Sequence, residues 1–245
     1  MKFKSYSLLR DYRSYFLDLA VKDTKKWCVL PDQLVEARKH SDQHWIQLFT
    51  NTASQPISGD DARRFLITFM LIRASWKVED VAKAMNQFAS IHSFNPIGDI
   101  PAFATQLRGM NILKRRQTSA ASKIANFMYP NAKVYIWDAL ATKSARLRDH
   151  ERVETKRCPL GIYTKDKEHD YARFHAACTL AHEDENAKSD FKEAVAHLDA
   201  HFKAQGGPLA NREKVSIDFI KRRLLDKLMF WEGWAVDRKA LPTHL

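Results

Sequence analysis

Lys123 and Asp138 are the residues whose types and spacing invite a chemical reading. Lys123 stands on the first turn of a predicted helix within Thr118-Ser-Ala-Ala-Ser-Lys123-Ile-Ala-Asn126. Asp138 follows fifteen residues later and opens another predicted helix, through Leu147. An aspartate at a helix start accepts a hydrogen bond from an unpaired backbone N–H, and the positive end of the helix favours its ionised form. It is a cap first, and a fixed carboxylate available to a substrate second. A lone lysine among 40 Lys+Arg is a solvated cation or a phosphate contact.

Two further clusters carry chemistry of other kinds. Lys114, Arg115 and Arg116 lead into Thr118 and Ser119. Such a cationic turn feeding a helix start binds phosphate through backbone N–H groups, with the basic side chains adding attraction. Its plainer reading is a solvated charge run. His197 and His201 lie four apart, on one face of a helix, and can share a metal. The pair lacks the His-Glu-x-x-His order that supplies a general base, and no obvious third ligand follows it. A bound metal is therefore not expected.

The order Lys123-Ile-Ala-Asn126, then a short turn at Pro130, then Asp138 resembles the helix-hairpin-helix DNA glycosylases, the superfamily of endonuclease III and 8-oxoguanine glycosylase. Their hairpin reads roughly Gly-x-Gly-x-Lys-x-Ala-Asn. Ser119 and Ala121 replace the two glycines, which serve close approach of the backbone to phosphate and positive φ. The segment from Lys123 to Asp138 is a few residues shorter than the family's. The absence of a four-cysteine cluster excludes the iron–sulfur version. The resemblance covers about residues 60–148.

That resemblance implies an all-α, two-lobed helical bundle with a helix-hairpin-helix element at 99–129, and base flipping into a cleft. Asp138 would assist cleavage of the N-glycosidic bond by stabilising positive charge on the sugar, as carboxylates do in glycoside hydrolysis. Lys123 would form a Schiff base with the sugar, which needs a neutral amine and hence a pKa lowered by burial or a cationic neighbour. Lys114, Arg115, Arg116, Thr118, Ser119 and Ser122 would contact DNA. Trp76 would wedge into the duplex, and Trp45, Tyr135 or Trp137 would stack on the extruded base. No cofactor is implied. The base would be oxidised, alkylated, deaminated or a bulky modification of foreign DNA, and the role implied is repair or antiviral defence. Two alternatives remain open: a non-catalytic nucleic-acid-binding helical module, and a metal-dependent nuclease or hydrolase using His197 and His201.

Composition supports a nucleic-acid partner. The 245 residues carry 40 Lys+Arg against 29 Asp+Glu, a net +11, and a polyanion such as duplex DNA releases counterions on binding such a surface. A hydrophobic content of 45% suits a globular chain. No apolar run is long enough to span a bilayer, and the N-terminus shows no apolar signal core. Cys28, Cys158 and Cys178 read as reduced thiols rather than a disulfide framework. The expected location is cytoplasmic, with the nucleoid as the site in a bacterium, and no membrane partner.

The elements that must position these residues are helical almost throughout. Helical spacing of apolar residues runs over Tyr6–Ala20, then from Pro31-Asp32 through His44, Trp45 and Phe49. Asp60-Asp61 is the expected cap of an apolar helix reaching Ile72, set at the centre of the core. Asp99 is the expected cap of the next helix, with Pro101 in its first turn, and Thr118 or Ser119 caps the helix bearing Lys123. Strand-like alternation is brief, at 133–137. Residues 149–168 are expected to be an irregular loop, and 169–245 C-terminal helices, the last of them presenting Lys221, Arg222 and Arg223 on its polar face.

Overall fold

The computed structural model describes residues 9–29, 40–71, 76–110, 117–154, 170–239 and 241, with the side chains of 150–154 outside the description. Among these the fold is all-α. Ten α-helices follow in order: α1 (Arg13–Cys28), α2 (Asp42–Thr50), α3 (Gly59–Thr68), α4 (Val78–Ala89), α5 (Pro96–Met110), α6 (Thr118–Met128), α7 (Ala139–Glu154), α8 (Tyr171–Asn186), α9 (Ser189–Gln205) and α10 (Ile217–Arg238). Residues 133–138 have no regular secondary structure, so the alternation there does not build a strand. No neighbouring strand exists among the described residues to pair with it.

The chain divides into two compact units. One comprises residues 26–136 and 203–216, the other residues 1–25, 137–202 and 217–245. The first unit holds α2 to α6. Its core is an aromatic cluster: Trp45 and Phe49 of α2, Phe65 of α3 and Phe127 of α6 are each at most 2% exposed. The Trp45 ring meets Phe65 edge-on at 5.0 Å, and Phe69 stacks on Phe127 at 5.3 Å. Such aromatic pairs add about 0.5–1.5 kcal/mol each beyond the area they bury. A second cluster joins α4, α5 and the end of α6, with Phe88 stacked on Phe103 at 4.1 Å and Phe94 on Tyr129 at 4.0 Å. The Tyr129 hydroxyl donates to the carbonyl of Phe88, and burial pushes its phenol up to about 12.

The starts of α3 and α5 differ from the sequence expectation because another side chain caps first. Ser58, not Asp60, caps α3; its Oγ accepts from the Asp61 N–H at 3.1 Å while the Asp61 carboxylate accepts from the Ser58 N–H, a reciprocal capping box. Asn95 caps α5, which begins at Pro96: its Oδ1 accepts from the Ile97 N–H at 3.2 Å, and the Asp99 carboxylate accepts from the Asn95 N–H at 2.6 Å. Pro101 therefore lies inside the helix rather than in its first turn. Ser41 caps α2, accepting from His44 N–H at 3.2 Å, and the expected start at Pro31-Asp32 falls outside the described residues. The α3 helix is also one-sided rather than central: Ala62, Phe65 and Leu66 are buried, whereas Asp60, Arg63 and Arg64 face solvent.

The other unit packs α7 against α10, with α8 beside both. Gly233 marks the closest approach, because a Cβ there would run into the backbone carbonyl of Leu140 on α7. Beside this contact lies a buried chain of charges. Arg148 of α7 donates to both carboxylate oxygens of Glu232 on α10, at 3.0 and 2.7 Å, and to Glu185 of α8 at 2.9 Å. Glu185 also accepts from Arg13 of α1 at 2.6 Å and from Lys188 at 2.8 Å, and Arg13 continues to Asp190 at 3.0 Å. The Ser144 hydroxyl donates to Glu232 as well. Burial alone would raise the Glu185 pKa; Arg148, with Arg13 and Lys188, outweighs it and holds the carboxyl at about 2. Arg222 and Arg223 of α10 are 4% exposed, and Arg223 pairs with Asp226. They form part of the packed unit and not the solvent-facing basic strip expected from their charge. The α7 helix runs to Glu154, which shortens the expected irregular loop at its start; residues 155–169 lie outside the description.

Candidate active site

Asp138 occupies the position that its sequence context implies. It directly precedes α7 and is half-buried. Its Oδ1 accepts from the Leu140 N–H at 2.8 Å, its backbone carbonyl accepts from the Thr142 N–H at 2.8 Å, and the Thr142 hydroxyl donates to the same carbonyl. The carboxylate is thus held at the end of the helix where unpaired N–H groups concentrate positive potential. The α7 helix needs such a cap, because its first turn carries no acidic residue of its own.

Lys123 lies on the second turn of α6. Its Nζ donates to the Ser119 Oγ at 2.9 Å, one helical turn back, and the side chain is half-buried. Neither Thr118 nor Ser119 caps this helix. Gln117 is the boundary residue and makes no side-chain capping bond, while Thr118 is 6% exposed and already helical. Ser122 is fully buried, and its hydroxyl donates to the Ser119 carbonyl. Ser122 therefore braces the helix internally and presents nothing outward. Asn126, the last residue of the Lys123-x-x-Asn126 pattern, is 1% exposed, and its Nδ2 has no hydrogen-bond partner among the described residues. The helix preceding this segment, α5, packs against α6. Lys114, Arg115 and Arg116 fall in the connection between them, outside the described residues. Lys123 belongs to the first-described unit and Asp138 to the other, the division falling between Ile136 and Trp137.

The aromatic candidates separate into three kinds. Trp45 is 0% exposed and ringed by Phe49, Phe65, His40 and His44, so it is core and offers no free face to a base. Tyr135 is 4% exposed and likewise packed away. Trp137 is half-buried, with its ring 4.9 Å from Phe174. Trp76 is half-buried too, and its Nε1 is tied to the Leu71 carbonyl at 2.9 Å. Sequence reasoning missed the residue that does project. Met70, two residues past the end of α3, is 74% exposed and has φ +54°. The left-handed region is costly for a side chain of this kind. No glycine or asparagine at this position announces the turn.

Lys25 Nζ lies 3.1 Å from His197 Nε2. Burial, then Lys25 and His197, lower the pKa of His201. No group of three or more His, Cys, Asp or Glu suited to a metal occurs among the described residues. Cys28 and Cys178 are buried. No helix among the described residues is long and apolar enough to cross a membrane.

Comparison with known protein families, with curated proteins and with solved structures finds no match.

Proposed function

We propose that the protein is a DNA glycosylase that removes a damaged or modified base after flipping it out of the duplex. The observation that carries this reading is the Asp138 carboxylate, fixed at the start of α7 by the Leu140 N–H, one short connection after the helix that bears Lys123. Loss of a base leaves oxocarbenium character on the sugar, and a carboxylate already oriented by the backbone stabilises that charge without reorganising. Lys123, held through Ser119, is the amine available for a Schiff base. The net charge of +11 supplies the attraction for phosphate. Extrusion leaves a gap in the stack, and exposed Met70 suits it better than tethered Trp76, since apolar side chains, Met among them, serve as wedges between base steps.

A non-catalytic nucleic-acid-binding module is the second reading. It is favoured by Ser119 and Ala121 standing inside α6 at positions where the resemblance calls for glycine. Incubating the protein with duplexes that carry oxidised, alkylated or deaminated bases, in excess EDTA, separates the possibilities. Alkali-labile abasic sites support the glycosylase. Saturable binding with intact bases supports the module, and strand nicking that EDTA suppresses would replace both with a metal-dependent nuclease.

A further inference from the structure

A groove of about 560 Å³ lies within the unit that contains α2 to α6, and among the described residues its lining includes none that the sequence singled out. One wall is α2, through Ile46, Thr50 and Asn51; the other is the loop after α9, through Pro208, Asn211 and Lys214. The volume falls in the range of small-molecule sites. The lining chemistry is selective. Half-buried Pro208 offers apolar surface, backed by the buried side chains of Ile46 and Val215. Gln47, Asn51 and Asn211 bring primary amides, which both donate and accept. Among the described residues Lys214 brings the one formal charge in the lining, and no carboxylate is among them.

The loop wall is held in shape by the protein itself. The Asn131 side chain, from the turn after α6, donates to the Lys214 carbonyl at 3.0 Å and accepts from the Ser216 N–H at 2.8 Å. The Asn211 Oδ1 accepts from the Glu213 N–H at 2.9 Å, and the Val215 N–H bonds the Asn211 carbonyl at 2.9 Å. At the loop's start Gly207 has φ +79°, and the Gln43 side chain occupies the space a Cβ would take. Only glycine meets both conditions. A wall fixed before any ligand arrives spares the ordering cost of binding.

We propose that this groove binds a nucleoside 5′-phosphate, free or as a residue of a nucleic-acid strand. The Pro208 ring takes the face of the base, the amides meet its hydrogen-bonding edge, and Lys214 pairs with the phosphate. Each part of the ligand answers a different part of the lining. The proposal does not depend on Asp138 or Lys123, so it stands or falls separately from the glycosylase reading.

Isothermal titration of the full chain with deoxyadenosine 5′-monophosphate, with deoxyadenosine and with inorganic phosphate tests it. The monophosphate is expected to bind saturably and more tightly than either fragment. Lys214→Glu is expected to weaken it about tenfold, the loss of one charge-assisted contact. Thr50→Trp, which fills the groove from an exposed helix position, is expected to abolish it. Circular dichroism on both variants confirms the fold. A 5′-phosphorylated dinucleotide that binds more tightly than the monophosphate identifies a strand as the source, and weaker binding identifies the free nucleotide. Equal affinity for inorganic phosphate and the monophosphate, or binding untouched by both substitutions, overturns the proposal, as does the absence of saturable binding.

Discussion

The Asp138 Oδ1 sits 2.8 Å from the Leu140 N–H, so the carboxylate proposed for catalysis is also the cap of α7. One substitution separates the two roles. Asparagine caps as well as aspartate, so Asp138→Asn should shift stability by less than about 0.5 kcal/mol and leave DNA affinity intact. Base release should fall by at least about 10²–10³-fold, the usual cost of removing one fixed electrostatic partner from a transition state. Thermal melting, a binding isotherm and a single-turnover excision assay read the three effects. Full excision by this variant would reduce Asp138 to its capping role.

Lys123 has a different signature. If its amine attacks the sugar, borohydride should trap a covalent protein–DNA adduct, and Lys123→Gln should abolish that adduct while base release by Asp138 continues at a reduced rate. Gel analysis after reduction is the measurement. Trapping that persists at full yield in the variant would move the nucleophile elsewhere.

Binding to duplex DNA should weaken steeply with salt. Six phosphate contacts predict a loss on the order of 10³-fold between about 50 and 200 mM. Reversing Lys114, Arg115 and Arg116 together should lower affinity for all sequences alike and flatten the salt slope. With Arg222 and Arg223 buried, an unchanged slope could not be transferred to that face of α10.

Acid should destabilise the fold in two windows. Burial, then the charge of His40, lowers the His44 pKa from its ordinary 6.5 to about 4, so the folded state keeps this ring neutral. The unfolded chain binds the proton first, and stability is lost as pH falls from about 6.5 towards 4. Glu185 is held at about 2 against an ordinary 4.5, so its contribution is present above 4.5 and is lost as pH falls towards 2. Denaturant midpoints measured from pH 7 to pH 2 should show both. Glu185→Gln should flatten the lower window and cost about 3–5 kcal/mol at neutral pH, because Arg148 and Arg13 would be left buried with one carboxylate fewer.

Gly233 is the tightest steric requirement between α7 and α10. A methyl group there meets backbone, the Leu140 carbonyl, which cannot rotate away. Gly233→Ala should cost about 1–3 kcal/mol despite alanine's higher helix propensity. Alanine at Gly109, where nothing lies within 4 Å of an added Cβ, is the control and should be neutral or stabilising. Equal melting temperatures for the two variants would count against this packing.

Much was legible in the sequence alone. Sparse glycine and apolar residues at helical spacing determine an all-α chain, because amphipathic periodicity is a local property that each segment carries by itself. The same local logic placed Asp138 at a helix start, since the cap and the N–H it accepts from are two residues apart. Capping by Ser58 and Asn95 was also local, but several polar residues competed at each boundary, and backbone geometry chose among them. What only the tertiary structure decided is which polar and aromatic groups face outward. Trp45, Tyr135, Arg222 and Arg223 look available in the sequence and are buried, while Met70 looks like core and projects. The chain of ion pairs through Arg13, Glu185, Arg148 and Glu232 joins residues up to 172 positions apart, and the Asn131 tie that shapes the groove spans 83. Contacts of that kind are set by which helix faces meet, and no pattern within a single helix encodes its partner.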